Sequence, residues 1–314
     1  MKKKAIIISI NSHSLSKNEE KILSQEKPWG IILFKRNIKS IYQLKKLTKK
    51  IRKVTKNKNF PIMIDEEGGT VTRIGRIVKH DLYQKLFGDI YKVNMKVSLA
   101  LYKKYLFDLI NFLKKVGINI NTVPVLDVLR KDTNKIIGKR SYSDDKNIVK
   151  DLGNFCIKYY SKNKIATVIK HIPGHGCATV DSHIKTPKVS LSSSNLNNID
   201  FFPFKNSKSK FAMTAHILYQ KIDKKNVATF STKIIQKIIR KKLSFKGIII
   251  SDDISMKALK YDLIINAKKA LSAGCNIVLY CGGKYKDTYK LIKEIPYIDK
   301  FTSKKTSEFY KFLR

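Results

Sequence analysis

The sequence is strongly basic, yet it contains little arginine and few acidic residues. Lys and Arg number 65 against 24 Asp and Glu, a formal net charge of +41, and only eight of the basic residues are arginine, which leaves 57 lysines. Sequence-specific contacts to nucleic-acid bases rely heavily on arginine, and the lysines are spread along the whole chain. We therefore attribute the charge to the lysine-rich composition that an A/T-rich genome favours, and we expect no specific nucleic-acid partner.

Other absences exclude further classes of protein. No apolar run reaches the ~18 residues of a membrane-spanning helix. The four cysteines form no C-x-x-C pair, which is typical of a reducing compartment, and neither dinucleotide nor P-loop motif is present. The opening MKKKAIIISI has an apolar run of six residues without a small-x-small cleavage site. These features lead us to expect a cytoplasmic protein that does not span a membrane.

Eight short apolar runs alternate with lysine-rich segments of helical spacing. In the segment 41–54, for example, Leu44, Leu47 and Ile51 recur on one face of a helix. Continuous apolar runs are typical of parallel strands that are buried on both faces. The eight predicted strands are 5–10, 30–34, 61–65, 118–128, 166–172, 210–217, 246–253 and 276–281.

This alternation predicts an α/β fold, a single (β/α)8 TIM-type barrel. A doubly wound open sheet is the alternative. No linker rich in Pro, Gly or Ser interrupts the chain. We therefore expect one catalytic domain over residues 1–314, with strands between about 5 and 281 and a short C-terminal helical tail over 284–314.

Charged and polar residues follow five of the predicted strands at the point where each strand ends. In a barrel these ends meet at one face, which is the face that carries active sites. Any one of them is also explained as a capped or salt-bridged strand end, but five together favour a pocket. The residues are Asp65, Asp127, Lys170, His171, His216, Asp252 and Asp253.

Two segments at these strand ends carry several ionisable groups. The run Asp65–Glu67 places three carboxylates together, so a cationic partner is expected, with Arg73 as a candidate. The loop 170–187 holds three histidines and Asp181. Its spacing matches no common zinc pattern, and we expect no metal. One alternative is an exposed polar loop. The other is a catalytic pair, in which Asp181 orients His183 as a general acid/base.

Several motifs together resemble glycoside hydrolase family 3. They are DEEGGTVTR, PVLDV, IGKRSY, KHIPGHG followed by DSH, MTAHILY and IIISDDISM, over roughly residues 5–290. Within the family the chain is most similar to the bacterial single-domain β-N-acetylhexosaminidases of peptidoglycan recycling. Ile172 replaces the usual Phe, Thr70 is shorter than is common, and the stretch 74–96 is divergent, so the leaving-group preference stays open.

The resemblance implies a TIM-type barrel and assigns roles to individual residues. Asp252 matches the catalytic nucleophile, and Asp253 is its non-nucleophilic neighbour. His183 matches the general acid/base, with Asp181 orienting it. His216 and Met256 also fall within family motifs. The positions that match substrate-binding residues are Asp65, Arg73, Arg140, Lys170 and His171.

The implied activity is that of a retaining exo-β-N-acetylhexosaminidase acting on a small sugar or muropeptide substrate. It needs neither metal nor organic cofactor, and we expect a monomer. A glycoside phosphorylase is the close alternative, because a histidine acid/base does not repel an incoming phosphate. A non-enzymatic polyanion-binding protein would instead show steep salt dependence and no effect of Asp252→Asn. The intact motifs argue against a decayed homologue.

Overall fold

A closed barrel of eight parallel strands forms the centre of the computed structural model, which describes residues 2–314. The order of the strands around the barrel follows the chain, and β1 pairs with both β2 and β8. The prediction of a (β/α)8 barrel is therefore confirmed, and the open-sheet alternative is wrong. Strands β1 to β8 are Lys4–Ser9, Pro28–Leu33, Ile62–Ile64, Ile120–Asn121, Ala166–Ile172, Phe211–Thr214, Ile248–Asp253 and Ile277–Tyr280.

Helical segments follow the strands and surround the barrel. Helix α2 begins after Ser40, whose hydroxyl accepts a hydrogen bond from the Gln43 N–H, and buries the predicted apolar face. Within residues 2–314 no helix has the length and apolarity needed to span a membrane. Helices α1 to α9 are Lys17–Lys21, Ile41–Val54, Gln84–Val93, Met95–Lys115, Lys146–Lys162, Ser193–Asn198, Leu263–Ala273, Tyr285–Glu294 and Lys300–Phe312, with π-helical segments at Ile22–Glu26 and Lys233–Lys242.

The last helix closes one end of the barrel. Phe309 of α9 packs against Trp29 and Phe211, whose rings lie 6.2 and 5.3 Å from its own, and the Trp29 indole N–H donates to Thr306 Oγ1 at 2.8 Å. These contacts lie at the amino ends of the strands. The predicted C-terminal tail thus fills the bottom of the barrel, and the carboxyl ends of the strands remain available for a site.

The predicted strand 118–128 is wrong over most of its length, because β4 contains only two residues. Pro124 has no N–H to donate to a neighbouring strand. Beyond it the chain still follows β5, since the Leu126 N–H donates to the Lys170 carbonyl at 2.8 Å. Of the other strands, 166–172 is as predicted, and the remaining boundaries differ by at most three residues, so Asp65 and His216 lie just beyond their strands. Asp127 lies on the segment that follows the short β4.

Two further short strands, which the sequence did not predict, lie outside the barrel. Lys188–Val189 and Leu218–Tyr219 form a parallel pair, and the Leu218 N–H donates to the Pro187 carbonyl at 2.9 Å. This pair fixes the end of the loop that carries Asp181 and His183.

Candidate active site

Five charged side chains at the carboxyl ends of β3 and β5 and on the 3-10 turn at Gly138–Arg140 form a connected cluster, which we call the charged cradle. At its centre Glu67 accepts hydrogen bonds from Arg140 Nε at 2.7 Å and Nη2 at 3.0 Å, and its Oε1 lies 2.5 Å from Lys170 Nζ. Burial by itself raises the pKa of Glu67, but the two cations reverse this effect and lower the pKa to about 2. The charged cradle consists of Asp65, Glu67, Arg73, Arg140 and Lys170.

Asp65 is the second carboxylate of the charged cradle. It accepts a hydrogen bond from Arg73 Nη2 at 3.0 Å, lies 3.3 Å from Lys170 Nζ, and accepts from the Thr122 hydroxyl. Burial favours its protonated form, yet the charges of Lys170 and Arg73 outweigh it and hold the pKa of Asp65 below its usual range. The predicted partnership of Arg73 with this acidic run is present. With three cations and two carboxylates, the cradle has one positive charge in excess.

A second buried group lies beside the cradle around Asp127. Its carboxylate accepts from the His171 Nδ1 at 2.7 Å and from the backbone N–H groups of His171 and His175 at 3.2 and 2.6 Å. The His171 Nε2 lies 3.4 Å from Arg140 Nη2, so the imidazole connects Asp127 to the cradle. Burial, reinforced by nearby His171, lowers the pKa of His175 to about 4. His175 is therefore neutral at pH 7.

Asp252 ends its strand close to these cations. Its Oδ1 accepts a hydrogen bond from the Asp253 N–H at 2.8 Å. Burial raises the pKa of this carboxyl, but His216 and His171, together with that N–H and Lys170, more than offset burial and leave the pKa below its ordinary value. Asp252 is therefore an ionised carboxylate at the carboxyl end of β7.

The adjacent Asp253 has different surroundings, although it follows Asp252 directly. Its carboxylate accepts from the Ser255 N–H and hydroxyl at 3.1 and 2.6 Å and from the Cys281 N–H at 3.1 Å. Burial raises its pKa. Asp253 thus fastens the loop after β7 to the end of β8. His216 Nε2 donates to the Asp253 carbonyl at 3.0 Å and supports the same turn.

His183 and Asp181 form a pair on the exposed loop after β5, which we call the dyad loop (residues 173–187). Asp181 Oδ1 lies 2.8 Å from both the backbone N and the Nδ1 of His183, whose side chain is 60% exposed. Burial raises the pKa of Asp181, but the hydrogen bonds from His183 reverse this and lower it. His171 and the His175 backbone N–H therefore contact the buried Asp127, whereas His183 contacts Asp181 at the surface.

Hydrogen bonds attach the dyad loop to the segment that follows Asp252. The Ala258 N–H donates to the Ser182 carbonyl at 3.2 Å, and the Thr186 hydroxyl donates to the Ala258 carbonyl at 2.6 Å. His183 makes its side-chain hydrogen bond to Asp181 and, within residues 2–314, none to Asp252. The structure therefore places the dyad on the loop beside Asp252 but does not bring the two side chains into contact.

Residue patterns in the sequence missed several members of this site. Glu67 and Asp127 were visible as acids near strand ends, but nothing in the sequence indicated that they bind Arg140, Lys170 and His171. Arg36 gave no signal. Its Nη2 donates to Ser9 Oγ and to the Cys281 carbonyl, both at 2.6 Å, and so bridges β1 and the end of β8 beside the site.

Comparison with known proteins agrees with this geometry. The model of the glycosyl hydrolase family 3 N-terminal domain matches residues 3–301. A β-hexosaminidase from Nitrosomonas eutropha is 33% identical over 281 residues, covering 88% of this chain and 80% of the relative. One from Haemophilus influenzae is 30% identical over 306 residues, covering 93% and 85%.

Solved structures show the same relationship. NagZ from Neisseria gonorrhoeae, in complex with N-trifluoroacetyl-D-glucosamine, superposes with a TM-score of 0.88 at 28% identity, covering 98% of this chain and 90% of NagZ. A family 3 β-N-acetylglucosaminidase from Paenibacillus also gives 0.88, at 25% identity, and this chain spans 60% of its length. A family match over most of the chain, relatives above 30% identity and a shared barrel lead to one conclusion: the chain belongs to glycoside hydrolase family 3.

Proposed function

We propose that this chain is a retaining exo-β-N-acetylhexosaminidase that removes terminal β-linked N-acetylglucosamine. The observation that carries the proposal is the pairing of an ionised Asp252 at the end of β7 with an exposed His183–Asp181 pair on the neighbouring loop. Glycoside cleavage with retention needs a carboxylate nucleophile and a separate group that transfers the proton. The names of the relatives, β-hexosaminidase and β-N-acetylglucosaminidase, support N-acetylglucosamine as the sugar.

In the first step an Asp252 oxygen attacks the anomeric carbon while the bond to the leaving oxygen breaks. His183, protonated at Nε2, donates its proton to that oxygen, and a glycosyl ester on Asp252 results. In the second step His183 takes a proton from water, whose oxygen attacks the same carbon and releases the sugar with its original configuration. Asp181 stays ionised and, 2.8 Å from the His183 Nδ1, fixes the tautomer and the orientation of the imidazole.

We assign the remaining positions that match family motifs to recognition of the sugar. Asp65 is a hydrogen-bond acceptor, whereas Arg73, Arg140 and Lys170 are donors, and the His171 Nε2 lies beside them. Sugar hydroxyls both donate and accept, so alternating charged groups are well suited to bind them. The excess positive charge of the cradle also favours the ionised form of Asp252 over its protonated form.

We propose muropeptides in the cytoplasm as the natural substrates. The proposal rests on the likeness to peptidoglycan-recycling enzymes, and the divergent stretch 74–96 next to the cradle leaves the preferred leaving group open.

Hydrolysis of an aryl β-N-acetylglucosaminide compared with the corresponding β-glucoside tests the proposal. We expect a clear preference for the acetamido sugar, measured as kcat/KM, and no turnover of either substrate by Asp252→Asn. Equal or faster cleavage of the glucoside would reject N-acetylhexosaminidase specificity. Turnover that survives in Asp252→Asn would reject the assigned nucleophile.

Phosphorolysis is the second candidate, because the proposed acid/base is a histidine. A carboxylate in its place would repel an incoming phosphate, whereas a neutral or cationic imidazole does not. Product analysis with and without phosphate separates the reactions: N-acetylglucosamine 1-phosphate indicates a phosphorylase, and free N-acetylglucosamine at unchanged rate indicates a hydrolase.

A further inference from the structure

Lys3 is a buried lysine at the amino ends of the strands, on the opposite side of the barrel from the candidate active site. It immediately precedes β1, and only 4% of the residue is exposed. Its ammonium donates to the Tyr310 hydroxyl and lies 4.7 and 5.8 Å from the ring centres of Tyr310 and Phe60. It forms no ion pair with any carboxylate among residues 2–314. A buried ammonium without a counter-ion is costly, and burial lowers the pKa of Lys3 to about 8.

A cavity of about 370 Å³ opens beside Lys3. Three more lysines line it, and Ser24 and Asn57 contribute a hydroxyl and an amide. The lining contains no acidic side chain within the described chain. The lysines of the cavity, which we call the basal lysines, are Lys2, Lys3, Lys27 and Lys56.

The nearby acids do not neutralise the basal lysines. Glu20 and Glu26, from the segment that precedes Lys27, pair instead with Lys50 and Lys293 at 2.9 and 2.6 Å. A lysine-rich composition accounts for many exposed lysines, but it does not account for a lysine that is buried without a carboxylate.

The chemistry of the cavity specifies a small oxyanion with several charges. Ammonium groups bind phosphate oxygens as point charges. The Ser24 hydroxyl already donates to the Glu20 carbonyl at 2.8 Å, and the Asn57 amide donates to the Tyr310 hydroxyl at 3.3 Å, so the lysines are the groups that would hold the anion. A single carboxylate would leave most of the positive charge uncompensated. We propose that the basal lysines form a binding site for an oligophosphate anion, either free or as the diphosphate of a nucleotide. The site is distinct from the proposed glycosidase site.

Calorimetric titration of the full chain with pyrophosphate and, separately, with ADP tests this proposal at ionic strength held constant with sodium chloride. The variants are Lys3→Met and Lys27→Met in the cavity, with Lys103→Met as a control, because Lys103 is an exposed, unpaired lysine on α4. We expect one saturable site in the wild type and in Lys103→Met. Lys27→Met should weaken binding roughly tenfold or more, and Lys3→Met should abolish it.

The melting temperature without ligand provides a second readout. Lys3→Met removes an unpaired buried charge, so its melting temperature should equal or exceed that of the wild type while the pyrophosphate-induced rise is lost. Turnover of an aryl glycoside should be unchanged.

Saturable binding of pyrophosphate supports a free anion, and binding of ADP alone supports a nucleotide. The absence of saturable binding of either probe would overturn the proposal. Equal weakening of binding in all three variants would also overturn it, because it would indicate diffuse attraction of the anion to a basic surface. If Lys3→Met does not fold, the comparison of pyrophosphate affinity between Lys27→Met and Lys103→Met decides.

Discussion

The charged cradle and the dyad loop are the two halves of the candidate site, and they differ in almost every physical respect. Glu67 and Lys170 have side chains that are 1% and 3% exposed, and each contacts oppositely charged groups. His183 is 60% exposed and has one side-chain partner, Asp181. The barrel therefore fixes the charged groups of the cradle, whereas the His183–Asp181 pair, which we propose transfers the proton, lies on a surface loop.

The difference separates the energetic roles of the two halves. Breaking a buried ion pair leaves an uncompensated charge in a low-dielectric environment, whereas an exposed pair contributes little to stability. We infer that changes in the cradle affect folding and activity together, and that changes in the dyad affect chemistry almost alone. The predictions below test this separation.

The largest expected effect is that of Asp252→Asn, at the carboxyl end of β7 beside the charged cradle. Removing the nucleophile leaves only positioning and electrostatics, so kcat/KM on an aryl N-acetylglucosaminide should fall by roughly 10⁴-fold or more. Circular dichroism and the urea midpoint establish whether the variant remains folded. A folded variant that keeps activity within a factor of ten of the wild type would remove Asp252 from the mechanism.

His183→Ala should lose activity in a way that depends on the leaving group. General acid catalysis contributes ~10²–10⁴-fold, mainly for poor leaving groups, so natural disaccharides should suffer severely and activated nitrophenyl substrates much less in the glycosylation step. Azide needs no base and should partly restore turnover, giving a β-glycosyl azide. Stability should be unchanged because the side chain is exposed.

Asp181→Asn is the matched variant for this test, because it keeps the imidazole but removes its charged partner. It should show a smaller loss with the same dependence on the leaving group. An equal decrease for all substrates in His183→Ala, without azide product, would make His183 structural. Another group would then have to supply the proton, and His175, which is buried and neutral at pH 7, does not meet that requirement.

Glu67→Gln should destabilise the fold by ~3 kcal/mol, because Arg140 loses its carboxylate and Lys170 keeps only Asp65. The matched control is Asp108→Asn, which breaks the exposed Lys104–Asp108 pair and should cost less than ~1 kcal/mol. Urea denaturation of both variants measures the difference. Similar losses in the two would mean that the cradle is no more important to stability than a surface pair.

The last prediction concerns the pH dependence of stability. Burial lowers the pKa of His175 to about 4 from 6.5, so the unfolded chain binds a proton at this histidine more readily than the folded protein does. The contribution of this difference to the free energy of unfolding is therefore present in full above pH 6.5. It is lost as the pH falls from 6.5 towards 4, by at most ~1.4 kcal/mol per pH unit. His175→Gln should flatten this part of the stability profile. Parallel profiles for wild type and His175→Gln would contradict the assignment.

The parts of this structure that could be predicted from sequence are those with local causes. Helix α2 covers the segment 41–54 that the apolar spacing indicates, and the strand-end charges mark the rim of the barrel. The partners of those charges could not be predicted, because Glu67 and Arg140 are 73 residues apart and meet only when the barrel closes. The strand predicted over 118–128 was too long, because its apolar pattern shows that the segment is buried but not that regular strand pairing ends at Asn121.

Mass spectrometry of His183→Ala during turnover of a dinitrophenyl β-N-acetylglucosaminide tests most directly whether Asp252 and His183 have the separate roles of nucleophile and general acid/base that we propose. With an activated leaving group the first step needs little acid, whereas the second step lacks its base, so the covalent intermediate should accumulate. We predict a protein mass increased by one N-acetylglucosaminyl group, located by peptide mapping on Asp252. An unmodified protein during steady turnover, or a sugar attached to Asp253 or another residue, would contradict the account.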